Sequence, residues 1–246
     1  MHARTPLCIF VLLATVLSLT PMDVAIARAL FFDSAHDHWI GSDSWWVNTV
    51  LHTGGRRIIG LIVVASLCTW IAAIVDPILT ELRRPAAYLT LSVVLSVSIV
   101  GWLKSVTNVD CPWDLVLFGG RYPFVPLFAD RPDMLRLAHC FPAAHASAGY
   151  SLMALYFVFL ERSRRFARFG LMLGLGTGLL FGFAQQSRGA HFVSHDLWSA
   201  TIAWLVALTL YACVFQGRVW DAKISGSTAT RIERDGLRGS CAPQRP

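Results

Sequence analysis

Charge is scarce in this chain. Asp, Glu, Lys and Arg make up 15% of its 246 residues, where a soluble domain carries about 25%. That deficit excludes an ordinary water-soluble globule. Nucleotide machinery is missing as well: no P-loop and no Gly-rich dinucleotide fingerprint occurs, so the usual signals of a nucleotide-driven enzyme are absent. No cysteine and histidine cluster has zinc-type spacing, and no internal repeat divides the chain. Neither a cofactor nor a bound metal is expected from such a sequence.

What is abundant is apolar. Hydrophobic residues make up 55% of the chain, with nine Trp and 15 Phe, and Trp collects at membrane interfaces. The expectation is an all-α integral membrane protein, a bundle of six helices each near the roughly 20 apolar residues that a bilayer requires. The spans read as Pro6–Ile26, Ile58–Leu79, Ala86–Val106, Ala146–Leu160, Phe169–Gln185 and Leu197–Phe215. The first also resembles a signal peptide, with a basic start and the small-residue stretch Ala25-Ile26-Ala27.

Basic residues orient the bundle. Arg4, the Arg83/Arg84 pair, the arginines from 162 to 168 and the C-terminal tail place 13 of the 21 Lys and Arg on one side. By the positive-inside rule that side is cytoplasmic. The basic balance therefore reflects topology, and no nucleic-acid partner is expected. Residues 1–222 read as one membrane domain, with its core at about 58–216 and a polar, disordered cytoplasmic tail over 223–246. In bacteria this address is the inner membrane. The loop over residues 32–55, with Trp39, Trp45 and Trp46, reads partly as an interfacial helix. Thr107 to Pro142 holds five of the 11 prolines, too many for a long helix, and is expected to fold over the surface as a lid or rim. Cys111 and Cys140 share that loop on the oxidising side and are the candidates for a disulfide.

Three polar clusters sit at span ends on the extracytoplasmic side: Lys104, His145, and Gln185 to Trp198 with Arg188, His191, His195 and Asp196. Ionised groups near hydrocarbon are costly and tend to be functional. Lys104 and Arg188 offer positive charge and N–H donors for a phosphoryl group. His145, His191 and His195 offer groups that exchange protons near neutral pH or attack phosphorus. Together they suggest phosphoryl transfer without an obligatory metal. Asp196 also reads as a helix N-cap, and Arg188 as a lipid-headgroup anchor. The five glycines between Gly170 and Gly182 read as a surface for close helix packing. His36, His38 and His52 carry no assignment.

These blocks resemble the type 2 phosphatidic acid phosphatase superfamily, membrane-bound branch. Its pattern is Lys, six residues, Arg-Pro; then Pro-Ser-Gly-His; then Ser-Arg, five residues, His, three residues, Asp. Here the blocks are Lys104, six residues, Cys111-Pro112; Pro142-Ala143-Ala144-His145; and Ser187-Arg188-Gly189-Ala190-His191-Phe192-Val193-Ser194-His195-Asp196. The resemblance implies that His191 is the nucleophile, His145 the general acid, and Lys104 with Arg188 the phosphate-binding cations. It implies a lipid phosphate or lipid diphosphate substrate held at the bilayer.

The chain departs from the pattern at every block. Cys111 replaces an arginine, with Arg121 as a candidate substitute; Ala143 and Ala144 replace Ser and Gly. Gln185 holds the register of the third-block arginine, and His195 stands where the orienting carboxylate belongs, with Asp196 one residue later. A second register makes His195 the nucleophile. Two other functions stay open at this point. One is a metal-dependent membrane hydrolase using His145, His191 and His195; the other is a non-catalytic protein that binds or transports lipid phosphate.

Overall fold

The computed structural model describes residues 4–214; the tail expected to be disordered, 223–246, lies outside them. The chain divides into two compact units, Met1–Leu208 and Thr209–Pro246, and the features that follow lie in the first, apart from the end of the last helix. Its long helices are the apolar runs. Trp46–Val75, Pro77–Val106, Arg164–Ser187 and Val193–Cys213 are each long and apolar enough to cross a membrane. Leu61, Ile71, Phe169 and Leu179 each leave more than half of their surface uncovered, so the helices are apolar outside as well as inside. Such surfaces are compatible with an integral membrane protein.

Against the six spans expected, four helices among the described residues are long and apolar enough to cross a membrane, or five if a bent pair counts as one. The first run is broken into α1 (Arg4–Leu19) and α2 (Met22–Leu30), which meet at 86°. Pro21 sits at the break, where it lacks an N–H to continue the helix and its ring opposes the preceding turn. The fourth run is a short apolar segment, Ala144–Leu160, built as α5 (Ala144–Tyr150), a 3₁₀ turn and α6 (Leu155–Leu160). Between α2 and the next span lies a small hairpin of β1 (Phe32–Asp33) and β2 (His38–Trp39). The π-helical turn Trp46–Gly54 then runs directly into α3 (Gly55–Val75). That turn occupies the place of the interfacial helix expected there.

Stops and starts follow from capping chemistry. At the end of α3, Asp76 turns extended and accepts a hydrogen bond from Ile78 N through Oδ1 at 2.9 Å. A 3₁₀ turn then leads into α4 (Arg83–Val106). Ser163 caps α7 (Arg164–Ser187) by accepting from Phe166 N. For α8 (Val193–Val214) the cap comes from far away in sequence: Asp23 Oδ1 accepts from Ser194 N at 3.0 Å. The N-cap reading of Asp196 is thereby corrected, because the helix has already begun at Val193.

Helix pairing is set by small residues and buried hydroxyls. α5 and α6 lie against α7, and α3 lies along α4. Ser66 and Thr90 join α3 to α4 through a buried hydroxyl pair at 2.8 Å, and the Tyr88 hydroxyl donates to Ala207 O at 2.8 Å, tying α4 to α8. On α7 a glycine recurs every fourth residue where the short segment approaches. A Cβ on Gly174 would stand 2.3 Å from Met153 N, whereas one on Gly176 would meet nothing within 4 Å. Gly174→Ala is accordingly expected to cost about 1–3 kcal/mol through overpacking. Gly176→Ala should be neutral or slightly stabilising. Thermal melting of the two variants in detergent checks this contrast.

Candidate active site

Each sequence block occupies the same loop-rich end of the bundle. Lys104 lies in the last turn of α4, His145 in the first turn of α5, and His191 in the turn between α7 and α8. The long loop after α4 ties them together. Cys111 and Cys140 are joined by a disulfide with Cα atoms 5.2 Å apart. Asn108 Oδ1 accepts from Ala138 N at 2.8 Å, and Cys140 N donates to Val109 O at 3.0 Å. Arg131 pairs with the buried carboxylate of Asp110. The loop reaches the third block through Trp113 N, which donates to Gly189 O at 2.9 Å. Gly189 has φ +73°, and a Cβ there would lie 2.3 Å from the Trp39 ring, so both conformation and space demand glycine.

The disulfide thus runs from the end of the first block to the residue before Phe141-Pro142, at the start of the second. It accounts for the departure at Cys111, where a bridge replaces a cation. Closing a loop of 29 residues restricts the unfolded chain by roughly 3–4 kcal/mol in the entropic model. Cys111→Ser with Cys140→Ser, or a reductant, is expected to lower the unfolding midpoint clearly; an unchanged melt in dithiothreitol would count against a bridged protein.

A cavity of about 680 Å³ opens among these elements. Lys104, His145, His191, Gln185, His52 and Arg56 form its polar lining, and the remainder is almost wholly apolar, from Ile59 and Val63 on α3 to Val93 and Val97 on α4. His191 is 5% exposed, at the wall, and its Nδ1 lies 3.4 Å from Nδ1 of His195. One of the two nitrogens carries the proton and the other accepts it. That contact engages Nδ1, and His191 itself lines the cavity. His191 stands outside the long helices, and burial holds its imidazole well below the usual histidine range, with His195 and Lys104 acting in the same direction. It is therefore a neutral base near pH 7.

His145 is fixed from three sides. Its Nε2 donates to Leu51 O at 3.2 Å, its ring stacks on Phe181 with centroids 4.5 Å apart, and His52 lies 4.6 Å away. Nδ1 of His145 is buried and has no partner among the described residues, so it is available to a substrate atom.

Other sequence candidates stand elsewhere. His195, 3% exposed, is behind His191 and is not among the residues lining the cavity. Asp196 turns toward α7, where Gln186 Nε2 donates to its carboxylate and the bare backbone of Gly182 makes room for it; no contact joins it to His191. Arg188 reaches Gln185 Oε1 with a long 3.5 Å contact and does not line the cavity. Arg121 is exposed in the loop and is also absent from the lining. Two lining residues, His52 and Arg56, were not singled out by the sequence. The available signal was the Arg56-Arg57 pair at the loop-side start of a long apolar run, where a charge needs a reason.

Cys140, His191 and His195 bring their ligand atoms within 4.8 Å of one another, a grouping that invites a metal reading. The Cys140 sulfur is bonded to Cys111, however, and only a thiolate is a strong ligand. Two imidazoles remain, fewer than the three protein ligands of a catalytic zinc, so the donor set does not fit a zinc site.

Membrane-length helices around a cavity lined by Lys104, Arg56 and three histidines define a class, that of helical proteins suited to a bilayer with a polar pocket at one end. Comparison with known families is specific: a model described as the PAP2 superfamily matches residues 85–218, more than half of the chain, and the chain belongs to that superfamily. Its members are phosphatases, which places this protein among phosphoester hydrolases at the coarse level. No curated protein and no solved structure matches the chain.

Proposed function

We propose that this protein is a membrane phosphatase or phosphotransferase that takes a phosphoryl group from a lipid through a phosphohistidine on His191. One observation carries the reading: a single cavity has Lys104, His145 and His191 at its polar part and apolar side chains of α3 and α4 along the rest. Its volume lies within the usual range for small-ligand sites, about 300–1,000 Å³. A phosphate headgroup suits the first part and a hydrocarbon chain suits the second.

The chemistry balances as two displacements. Nε2 of neutral His191 attacks phosphorus, the N–P bond forms, and the P–O bond to the lipid breaks. His145, protonated as an imidazolium with its Nε2–H on Leu51 O, gives the Nδ1 proton to the departing oxygen. Lys104 stabilises the charge that builds on the phosphoryl oxygens. A water then attacks the phosphohistidine, His145 takes back a proton, phosphate leaves, and His191 returns to its neutral state. If a second lipid hydroxyl replaces water, the same site performs transfer. His195 serves as a positioning residue that holds the His191 ring through Nδ1, the role that a carboxylate has in the family pattern.

The active site is assigned to the extracytoplasmic face and the tail to the cytoplasm. Positive charge on the opposite loops and a disulfide, which persists in an oxidising compartment, support that orientation. The test is phosphate release by the purified protein in detergent from phosphatidic acid, polyprenyl diphosphate, phosphatidylglycerophosphate and lipid A, with EDTA present. EDTA-resistant release is expected. Release that depends on added metal, or none from any lipid with or without an acceptor, would overturn the reading.

A further inference from the structure

Two cation positions of the family pattern are empty of charge here. Cys111 is committed to a disulfide, and Gln185 is a neutral amide. Of the blocks' basic residues, Lys104 alone lines the cavity; Arg188 contacts Gln185 Oε1 and Arg121 is exposed in the loop. A single ammonium is a poor match for a phosphoryl group with several anionic oxygens, since bidentate guanidinium contacts supply both charge and geometry. A guanidinium does line the cavity, and it comes from outside the family blocks. Arg56, in the first turn of α3, shares the cavity wall with His52, Lys104, His145 and His191. It lies before residue 85, where the family match begins.

His52, four residues earlier on the π-helical turn, is held for a complementary task. The Gln185 amide nitrogen donates to its Nδ1 at 2.9 Å, while the amide oxygen faces Arg188. That arrangement places the His52 proton on Nε2, so this neutral ring has one N–H donor to offer. Gln185 therefore stands at the register of the missing arginine and spends its amide on orienting His52.

We infer that Arg56, with His52, forms the anion-binding wall that replaces the two missing arginines, gripping the phosphoryl oxygens opposite Lys104. The substrate class that suits this wall is a lipid carrying a terminal phosphate or diphosphate, whose charge meets Lys104 and Arg56 together. The inference rests on the phosphoryl reading of the cavity, yet it can be tested apart from turnover.

The probe is inorganic phosphate, titrated into the full-length protein in detergent and followed by phosphorus NMR line broadening. Arg56→Gln is expected to weaken binding about tenfold, Arg56→Lys less, because it keeps the charge and loses the fork. Arg57→Gln is the control, since Arg57 is adjacent in sequence but does not line this cavity. Should the Gln variant not purify folded, Arg56→Lys against Arg57→Lys carries the same comparison. Binding within twofold of the parent in the Arg56 variants, or equal losses in the Arg56 and Arg57 variants, would overturn the inference. Phosphate binding that depends on Arg56 in a protein with no lipid turnover would uphold it and remove the hydrolase reading instead.

Discussion

His191→Ala is expected to reduce phosphate release by on the order of 10⁴-fold or more, the scale seen when a covalent nucleophile is removed. The geometry behind the expectation is the placement of a buried, neutral imidazole at the cavity wall with its Nδ1 turned to His195. Rapid quenching of the parent should trap a phosphoenzyme that is stable to base and labile to acid, as a phosphohistidine is, and the variant should trap none. Release that survives the substitution would move the nucleophile to His195. The pH profile gives an independent check. Burial, His195 and Lys104 lower the pKa of His191 in the folded protein, below the value of about 6.5 for an unperturbed imidazole. The base stays active as pH falls past 6.5 and is lost only on passing the folded pKa, so the acid limb of kcat/KM should lie below 6.5. The same shift acts on stability. Between the folded pKa and 6.5 the unfolded chain binds more protons than the native one, so stability rises with pH in that window and falls as the solution is acidified through it.

His145→Asn should lower kcat on a lipid phosphate by about 10²–10⁴, the usual yield of general acid catalysis. The loss should depend on the leaving group. A lipid alkoxide needs a proton as it departs, whereas p-nitrophenolate leaves without one. Activity of the variant on p-nitrophenyl phosphate should therefore fall much less than on the lipid. An equal loss on both substrates would mean that His145 only shapes the cavity. Its structural duties make that control necessary, because the ring also stacks on Phe181 and donates to Leu51 O. Asparagine keeps a donor without the titrating ring.

Much of this architecture could be read from one-dimensional patterns. Long apolar runs with few charges specify helices whose outer faces are as greasy as their inner ones, because a lipid-facing surface has no reason to be polar. The runs around Val63, Val93 and Leu205 became helices where expected. Polar blocks placed beside such runs pointed to the end of the bundle that holds the candidate site, since ionisable groups near hydrocarbon are costly unless used. The spacing of Cys111 and Cys140 within one loop allowed a bridge without requiring it. The break in the first run was not legible because hydropathy averages over residues and passes through Pro21, whereas a backbone without an N–H breaks the helix locally.

The sequence by itself determined the helical class, the family and most of the polar residues from which a site could be drawn, though not His52 and Arg56. Tertiary structure decided which of them meet. Side-chain direction depends on where a helix begins: with α8 starting at Val193, His195 backs onto His191 while Asp196 points to Gln186. Partners distant in sequence depend on how helices pack. Arg56 and His52 join Lys104 only because α3 lies along α4 and the turn before it reaches His145. No local pattern encodes that meeting, since its contacts are made by packing between segments, and each segment alone is consistent with several arrangements.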